Sequence, residues 1–285
     1  MSTLVFSLRS ESPEAVALCN RVIRGLLLKG HQVQMLPEEA DVLTLPDVAT
    51  DISLLGTNAD LAVSVGGDGT MLRTFDLVAG KNVPVLGVNM GRLGYLTEFE
   101  PDQIDEAIIS ALSGELPIEQ RMMVAGKLIR SDGSERGLWL GLNEVIVEKR
   151  DQGHTVRLEV MLDGNHFATY AADGLIVSTP TGSTAYNLSA RGAVVAPTHL
   201  SLQLTPVAPH MLFDRSLILV PETEIKIRVA GNRAANLSVD GRNVASLEEG
   251  DTIVVTQAMT FALLVTSGGS GFHQVLKQKF GLKDS

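Results

Sequence analysis

Leu61-Ala-Val-Ser-Val65-Gly66-Gly67-Asp68-Gly69-Thr70-Met71 is the stretch that decides the fold. A short, largely apolar run ends in a glycine turn, and an apolar-periodic segment starts at Met71-Leu72. That order reads as strand, turn and helix. Three glycines admit backbone dihedrals barred to other residues and let the main chain approach a ligand closely. The following helix aims its free N–H groups and positive dipole end at the turn, which suits phosphate. Asp68 sets a carboxylate in the middle of this anion-friendly turn. Beside phosphates a carboxylate is repulsive unless it binds a cation or takes a proton. The turn therefore points to chemistry on a phosphorylated ligand.

Outward from this turn, strand and helix signals alternate. Leu4 to Leu8 reads as a strand. Ser12 caps a helix with Pro13 in its first position, running to Gly30. His31 to Leu36 and Pro84 to Asn89 read as further strands, and Pro101 to Leu112 as an amphipathic helix. The alternation predicts a Rossmann-like parallel α/β sheet, with ligands off the C-terminal strand ends. Near residue 117 helical periodicity nearly disappears. Arg157 to Leu162 and His166 to Tyr170 flank Asp163-Gly164, a hairpin signal. Strand-like runs follow at 200–204, 217–220, 224–229, 237–239, 252–256 and 260–265. We expect an α/β domain over 1–116, a largely antiparallel β domain over 117–266, and a tail with a short helix over 267–285.

The 285 residues allow two ordinary domains. Apolar residues make up 45%, enough for a sizeable core, and the formal charge of −10 argues against a broad nucleic-acid-binding face. An acidic protein still binds nucleotides through glycine turns and metal ions. The one cysteine, Cys19, excludes internal disulfides and a cysteine zinc site, and is expected in the core. The start Met1-Ser-Thr-Leu4 shows no signal-peptide pattern, and no apolar run reaches a membrane span. A cytoplasmic protein without membrane partners is the expectation.

A second motif lies in the β region. The strand Leu175 to Val177 runs into Ser178-Thr-Pro-Thr-Gly-Ser-Thr184 and then Ala185-Tyr186-Asn187-Leu188-Ser189. Five hydroxyls in seven residues can bind ribose, phosphate or a base edge, and Tyr186 offers a planar face. The competing reading is a turn whose Ser and Thr cap locally.

The motifs Gly66-Gly-Asp-Gly-Thr70, Asn89-Met-Gly-Arg-Leu-Gly-Tyr-Leu96, Leu142-Asn143-Glu144-Val145 and Asp173-Gly-Leu-Ile176 through Thr179-Pro-Thr-Gly-Ser-Thr-Ala-Tyr186 occur in this order. Together they resemble the NAD kinase family over nearly the whole chain. The glycine–aspartate turn alone is shared with diacylglycerol and sphingosine kinases. The resemblance implies transfer of the γ-phosphoryl group of ATP, or of another nucleoside triphosphate or polyphosphate, to the 2′-hydroxyl of the NAD adenosine, giving NADP. It implies Asp68 as general base, against a competing role as a helix cap. A divalent cation, usually Mg²⁺, would be held mostly by the nucleotide phosphates, with no protein metal cluster. It further implies that the dinucleotide lies between the two domains, that the tail packs back on the first domain, and that subunits assemble as dimers or tetramers.

The residues so implied are Gly69 near the phosphates and Asn143 and Glu144 at the adenine or ribose. Asp173 reads the nicotinamide carboxamide, against a competing tight-turn role. Thr181, Thr184, Ala185, Tyr186, Asn187 and Ser189 line the pocket. Ser178 and Thr179 are read as supporting hydroxyls. Arg73 could reach phosphate or simply be solvated, and His154 could contact NAD or be incidental. Two departures stand out. Many members follow the tyrosine string with Ser-x-Gly-Gly-Pro, whereas this chain has Ser189-Ala-Arg191-Gly-Ala193, and Ala171 stands where some carry a basic residue. The competing functions are a lipid kinase using the same turn and a non-catalytic dinucleotide sensor.

Overall fold

The computed structural model describes residues 1–91, 94–269 and 271–282. Arg92 and Leu93, inside the second quoted motif, lie outside the described residues. The chain forms two compact units: Met1–Gln120 with the return from Ala262, and Arg121–Phe261.

The first unit begins with β1 (Thr3–Leu8), α1 (Pro13–Leu28), β2 (Gln32–Gln34) and α2 (Pro37–Val42), then β3 (Leu61–Gly66), α3 (Asp68–Leu77), β4 (Val85–Asn89) and α4 (Ile104–Leu112). The strand order is β2-β1-β3-β4, all parallel. β3 and β4 are buried along their whole length, as strands covered on both faces must be. Ser12 accepts a hydrogen bond from the Ala15 amide at 3.3 Å, and Pro13 follows it, which starts α1 as the sequence predicts. That helix buries Ala15, Cys19, Val22, Ile23 and Leu26 at helical spacing. Burial pushes the Cys19 thiol up to about 12, so it stays protonated in the core.

The second unit contains β5 (Ile118–Ile129), β6 (Glu135–Gly141), β7 (Glu144–Lys149), β8 (Val156–Leu162), β9 (Asn165–Ala172), β10 (Gly174–Ser178), α5 (Tyr186–Ser189), β11 (Leu202–Val207), β12 (Leu217–Leu219), β13 (Ile225–Val229), β14 (Ala235–Val239) and β15 (Arg242–Leu247). One sheet runs β12-β11-β10-β7-β14-β15, antiparallel throughout. β13, β8 and β9 pair in the other. Asp163 sits at φ 48 in the β8–β9 turn, the hairpin predicted from Asp163-Gly164. The two inner faces meet in one apolar cluster that includes Val145, Val147, Leu175, Val177, Leu237 and Val239.

One local expectation is corrected, and one open reading is filled in. The runs 252–256 and 260–265 form one strand, β16 (Thr252–Val265), because Gln257-Ala258-Met259 carries no turn residue. The hydroxyl string coils into a 3₁₀ turn, Thr181–Thr184, and the short α5. After β16 the return segment makes α6 (Phe272–Lys279) and stays within the first unit. There Ser267 donates its amide and hydroxyl to Glu98 at 2.8 and 3.0 Å. Lys279 Nζ stands 4.0 Å from the centre of the Tyr95 ring. No described helix is long and apolar enough to cross a membrane.

Candidate active site

In the first unit, β3 ends at Gly66 and α3 begins at Asp68. Gly67, the residue before the helix, has φ −121° and supplies no side-chain cap; its carbonyl takes the Thr70 and Met71 amides at 3.0 and 3.1 Å, and the Asp68 and Gly69 amides at the helix start suit an anion. None of Gly66, Gly67 and Gly69 takes a positive φ, which corrects the expected need for barred dihedrals. Gly66 serves close packing, since a Cβ there would stand 2.2 Å from Thr70 Oγ1, whereas a Cβ on Gly67 or Gly69 would meet nothing within 4 Å and the backbone there is open.

Asp68 does not cap α3. Its carboxylate turns to the loop after β4, accepting from the Tyr95 amide at 3.1 and 2.9 Å and from the Leu96 amide at 3.0 Å. The chain comes this close because residue 94 is glycine: a Cβ there would stand 2.3 Å from Asp68 Oδ1. The carboxylate is thereby aimed by two backbone amides and remains only half-buried. The Tyr95 phenol is pushed up, first by burial and then by the Asp68 charge. Arg73 is held by α3 against the end of β1. Its guanidinium donates to Leu8 O at 2.6 Å, to Ser7 Oγ at 3.0 Å and to the buried Glu39 carboxylate. Glu39 is raised by its burial, and Arg73 opposes that rise.

In the second unit, Asn143 and Glu144 stand at the entry to the central strand β7, between β10 and β14. The Glu144 side chain is almost fully buried and its Oε2 has no hydrogen-bond partner. Desolvation, with the nearby Asp240 charge second, pushes its carboxyl up to about 8. A buried orphan acceptor on an acid is expensive unless something binds there. Tyr186 is 41% exposed at the start of α5, and its phenol is raised by burial and then by Glu148, Asp173 and Glu144. The charges of these acids thus reach the exposed aromatic of the string. Asp173 pairs with Lys149 at 2.6 Å. Neither Asp173 nor Gly174 has a positive φ, so the pair is strand entry and not a tight turn.

The other hydroxyls divide by role. Thr179 Oγ1 donates to Leu142 O at 2.5 Å and accepts from the Gly182 amide at 3.1 Å, and Ser178 Oγ donates to Thr179 O at 3.0 Å. Both support the backbone. Gly182 lies so close to Asn143 that a Cβ would stand 2.1 Å from its carbonyl oxygen. Thr184 Oγ1 donates to Thr181 O at 3.3 Å, and the buried Thr181 Oγ1 has no partner. Asn187 is fully buried; its amide nitrogen donates to Gln203 at 3.3 Å, and its Oδ1 has no partner. Ala185 is half-buried, Ser189 is exposed, and His154 is exposed in the bend before β8. Lys149, Glu148 and Asp240 were not singled out as site residues from the sequence. Only the fold brings them beside Asp173, Tyr186 and Glu144, since they are distant or unremarkable along the chain.

A parallel α/β unit bearing a glycine–aspartate turn, followed by a β unit bearing a hydroxyl-rich string beside a buried acid, has the features of a kinase of the glycine–aspartate class. Comparison with known proteins narrows the class. Residues 6–116 match the ATP-NAD kinase N-terminal domain, and residues 142–267 match the ATP-NAD kinase C-terminal domain. The chain is similar to the NAD kinase of Heliobacterium modesticaldum, at 37% identity over 98% of both chains. It is 40% identical to the NAD kinase of Gemmatimonas aurantiaca over 79% of this chain and 78% of that one. Among solved structures, yeast NADH kinase complexed with NADH shares the fold with a TM-score of 0.92, at 24% identity over 100% of this chain and 89% of that chain. The chain belongs to the ATP-NAD kinase family.

Proposed function

We infer that this protein is an NAD kinase: it transfers the γ-phosphoryl group of ATP to the 2′-hydroxyl of the NAD adenosine and releases NADP and ADP. The observation that carries the reading is the aimed Asp68 carboxylate beside a helix start whose glycines leave open space. As the sugar oxygen attacks the γ-phosphorus, its proton passes to Asp68 and the bond to the β-phosphate oxygen breaks. A positioned base of this kind contributes roughly 10²–10⁴-fold. Gly67, Gly69 and the first-turn amides of α3 face the phosphates. Phosphoryl transfer needs its charge neutralised. Among the described residues no three or more His, Cys, Asp and Glu side chains converge as a metal site. In this reading a divalent cation supplies that neutralisation, carried mostly on the nucleotide phosphates.

Asn143, Glu144, Asp173 and Tyr186 read NAD, with Thr181, Thr184, Ala185 and Ser189 around them. Glu144 supplies the orphaned acceptor that a ribose hydroxyl or exocyclic amine satisfies. The protein acts in the cytoplasm, as a dimer or tetramer. The test is NADP formation from NAD, ATP and Mg²⁺ by the wild type and by Asp68→Asn. Turnover lost in the variant with NAD binding kept supports the reading. Tight NAD binding without turnover on any phosphate donor would replace it with a dinucleotide sensor.

A further inference from the structure

We propose that Asp240 is the positioning residue for the Asn143–Glu144 pair, fixing through backbone hydrogen bonds the direction in which the two side chains face the nucleotide. The proposal rests on the reading of NAD by that pair given above. The Asp240 carboxylate accepts from three consecutive amides: Leu142 at 2.7 Å on Oδ2, and Asn143 at 2.8 Å and Glu144 at 3.0 Å on Oδ1. Successive amides converging on one anion form a backbone nest. The Asp240 amide returns a bond to Glu144 O at 3.1 Å. On the opposite side Leu142 O is taken by Thr179 Oγ1 at 2.5 Å, and Asn143 O by the Thr179 amide at 2.8 Å. Every backbone polar group of residues 142–144 is thus engaged by protein. Only the side chains of Asn143 and Glu144 are left to recognise a ligand, and they project from a backbone gripped on both sides.

Closing the β14–β15 turn does not account for this arrangement. Asp240 has φ 47, which an Asp-Gly turn explains. The turn needs no carboxylate reaching a segment 97 residues away in sequence. The contact also sets the Asp240 carboxylate beside the buried Glu144 carboxyl, whose rise owes first to desolvation and then to the Asp240 charge. Burial raises the Asp240 carboxyl as well, and the three amides and then Arg242 oppose that rise. A carboxylate whose three amide bonds all go to residues 142–144 acts on that pair, beyond the turn it closes.

The test uses full-length Asp240→Ala and Asp240→Asn. NAD affinity is measured by calorimetry, KM for NAD and for ATP by turnover, and amide exchange by mass spectrometry over residues 142–144. Asp240→Ala should weaken NAD affinity and raise its KM roughly 10–100-fold, leaving the ATP KM within about twofold. Asp240→Asn should show a smaller effect in the same direction. Its Oδ1 still accepts from Asn143 and Glu144, while its NH₂ opposes the Leu142 amide. It also serves as the test if the alanine variant does not fold. Faster exchange with unchanged NAD affinity would make Asp240 a fold residue only and overturn the proposal, as would NAD and ATP constants that worsen together. A wild type that binds NAD but yields no NADP counts against the proposed reaction alone, and the affinity ratio still decides Asp240. A wild type that binds no NAD overturns both.

Discussion

At the scale of single residues, Asp68 depends on a missing side chain. Its carboxylate occupies the space a Cβ on Gly94 would need. Gly94→Ala should therefore displace this carboxylate and, if Asp68 is the base proposed above, lower kcat on the order of 10²-fold with the far-ultraviolet circular dichroism unchanged. Steady-state kinetics beside the spectrum checks this. Glu144 carries a pH dependence with a defined sign. Its folded carboxyl is raised from 4.5 to about 8, so the folded chain holds a proton that the unfolded chain releases as pH rises between those values. The contribution is fully present below the unfolded value and is lost as pH climbs through the folded one. Glu144→Gln stays neutral throughout. Relative to that variant, the wild type should lose a few kcal/mol, as an order of magnitude, between about pH 5 and pH 8. Denaturant melts of both proteins across that range would show parallel curves if the assignment is wrong.

At the scale of elements, α3 carries Asp68 at its start and a structural tie one turn on. Arg73, five residues after Asp68, ties α3 to the end of β1 through Glu39, Ser7 and Leu8 O. Arg73→Met leaves the Glu39 carboxylate buried without its cation. Breaking a buried pair costs about 3–5 kcal/mol, reduced here to about 2 because Arg73 is 40% exposed. Urea unfolding measures the loss. The pair explains why a basic residue one turn into this helix was ambiguous in the sequence: its acidic partner lies 34 positions earlier. The hydroxyl string shows the same limit. Ser178 and Thr179 were legible as supports, while the sequence could not show that Thr181 Oγ1 and Asn187 Oδ1 are buried without a partner.

At the scale of the whole molecule, two separate cores stand behind the two units. One is built on Phe6, Ile23, Val63 and Val88, the other on Val145, Tyr170, Val177 and Leu237. Units with independent cores need not melt together. Scanning calorimetry should give a calorimetric enthalpy above the van't Hoff enthalpy, and a ratio of one would show that they unfold as a single cooperative body.

What the sequence determined by itself is local and periodic. Apolar runs bounded by glycine set β3 and β4, Ser12-Pro13 started α1, and Asp163-Gly164 turned the hairpin, because each depends on neighbours in the chain. The order of the motifs carried the family. The tertiary structure alone decided what each polar group meets: the Tyr95 and Leu96 amides on Asp68, Lys149 on Asp173, and Asp240 beneath Asn143 and Glu144. Burial and hydrogen bonding are properties of space. The distance between two residues along the chain sets no bound on whether one will aim, charge or satisfy the other.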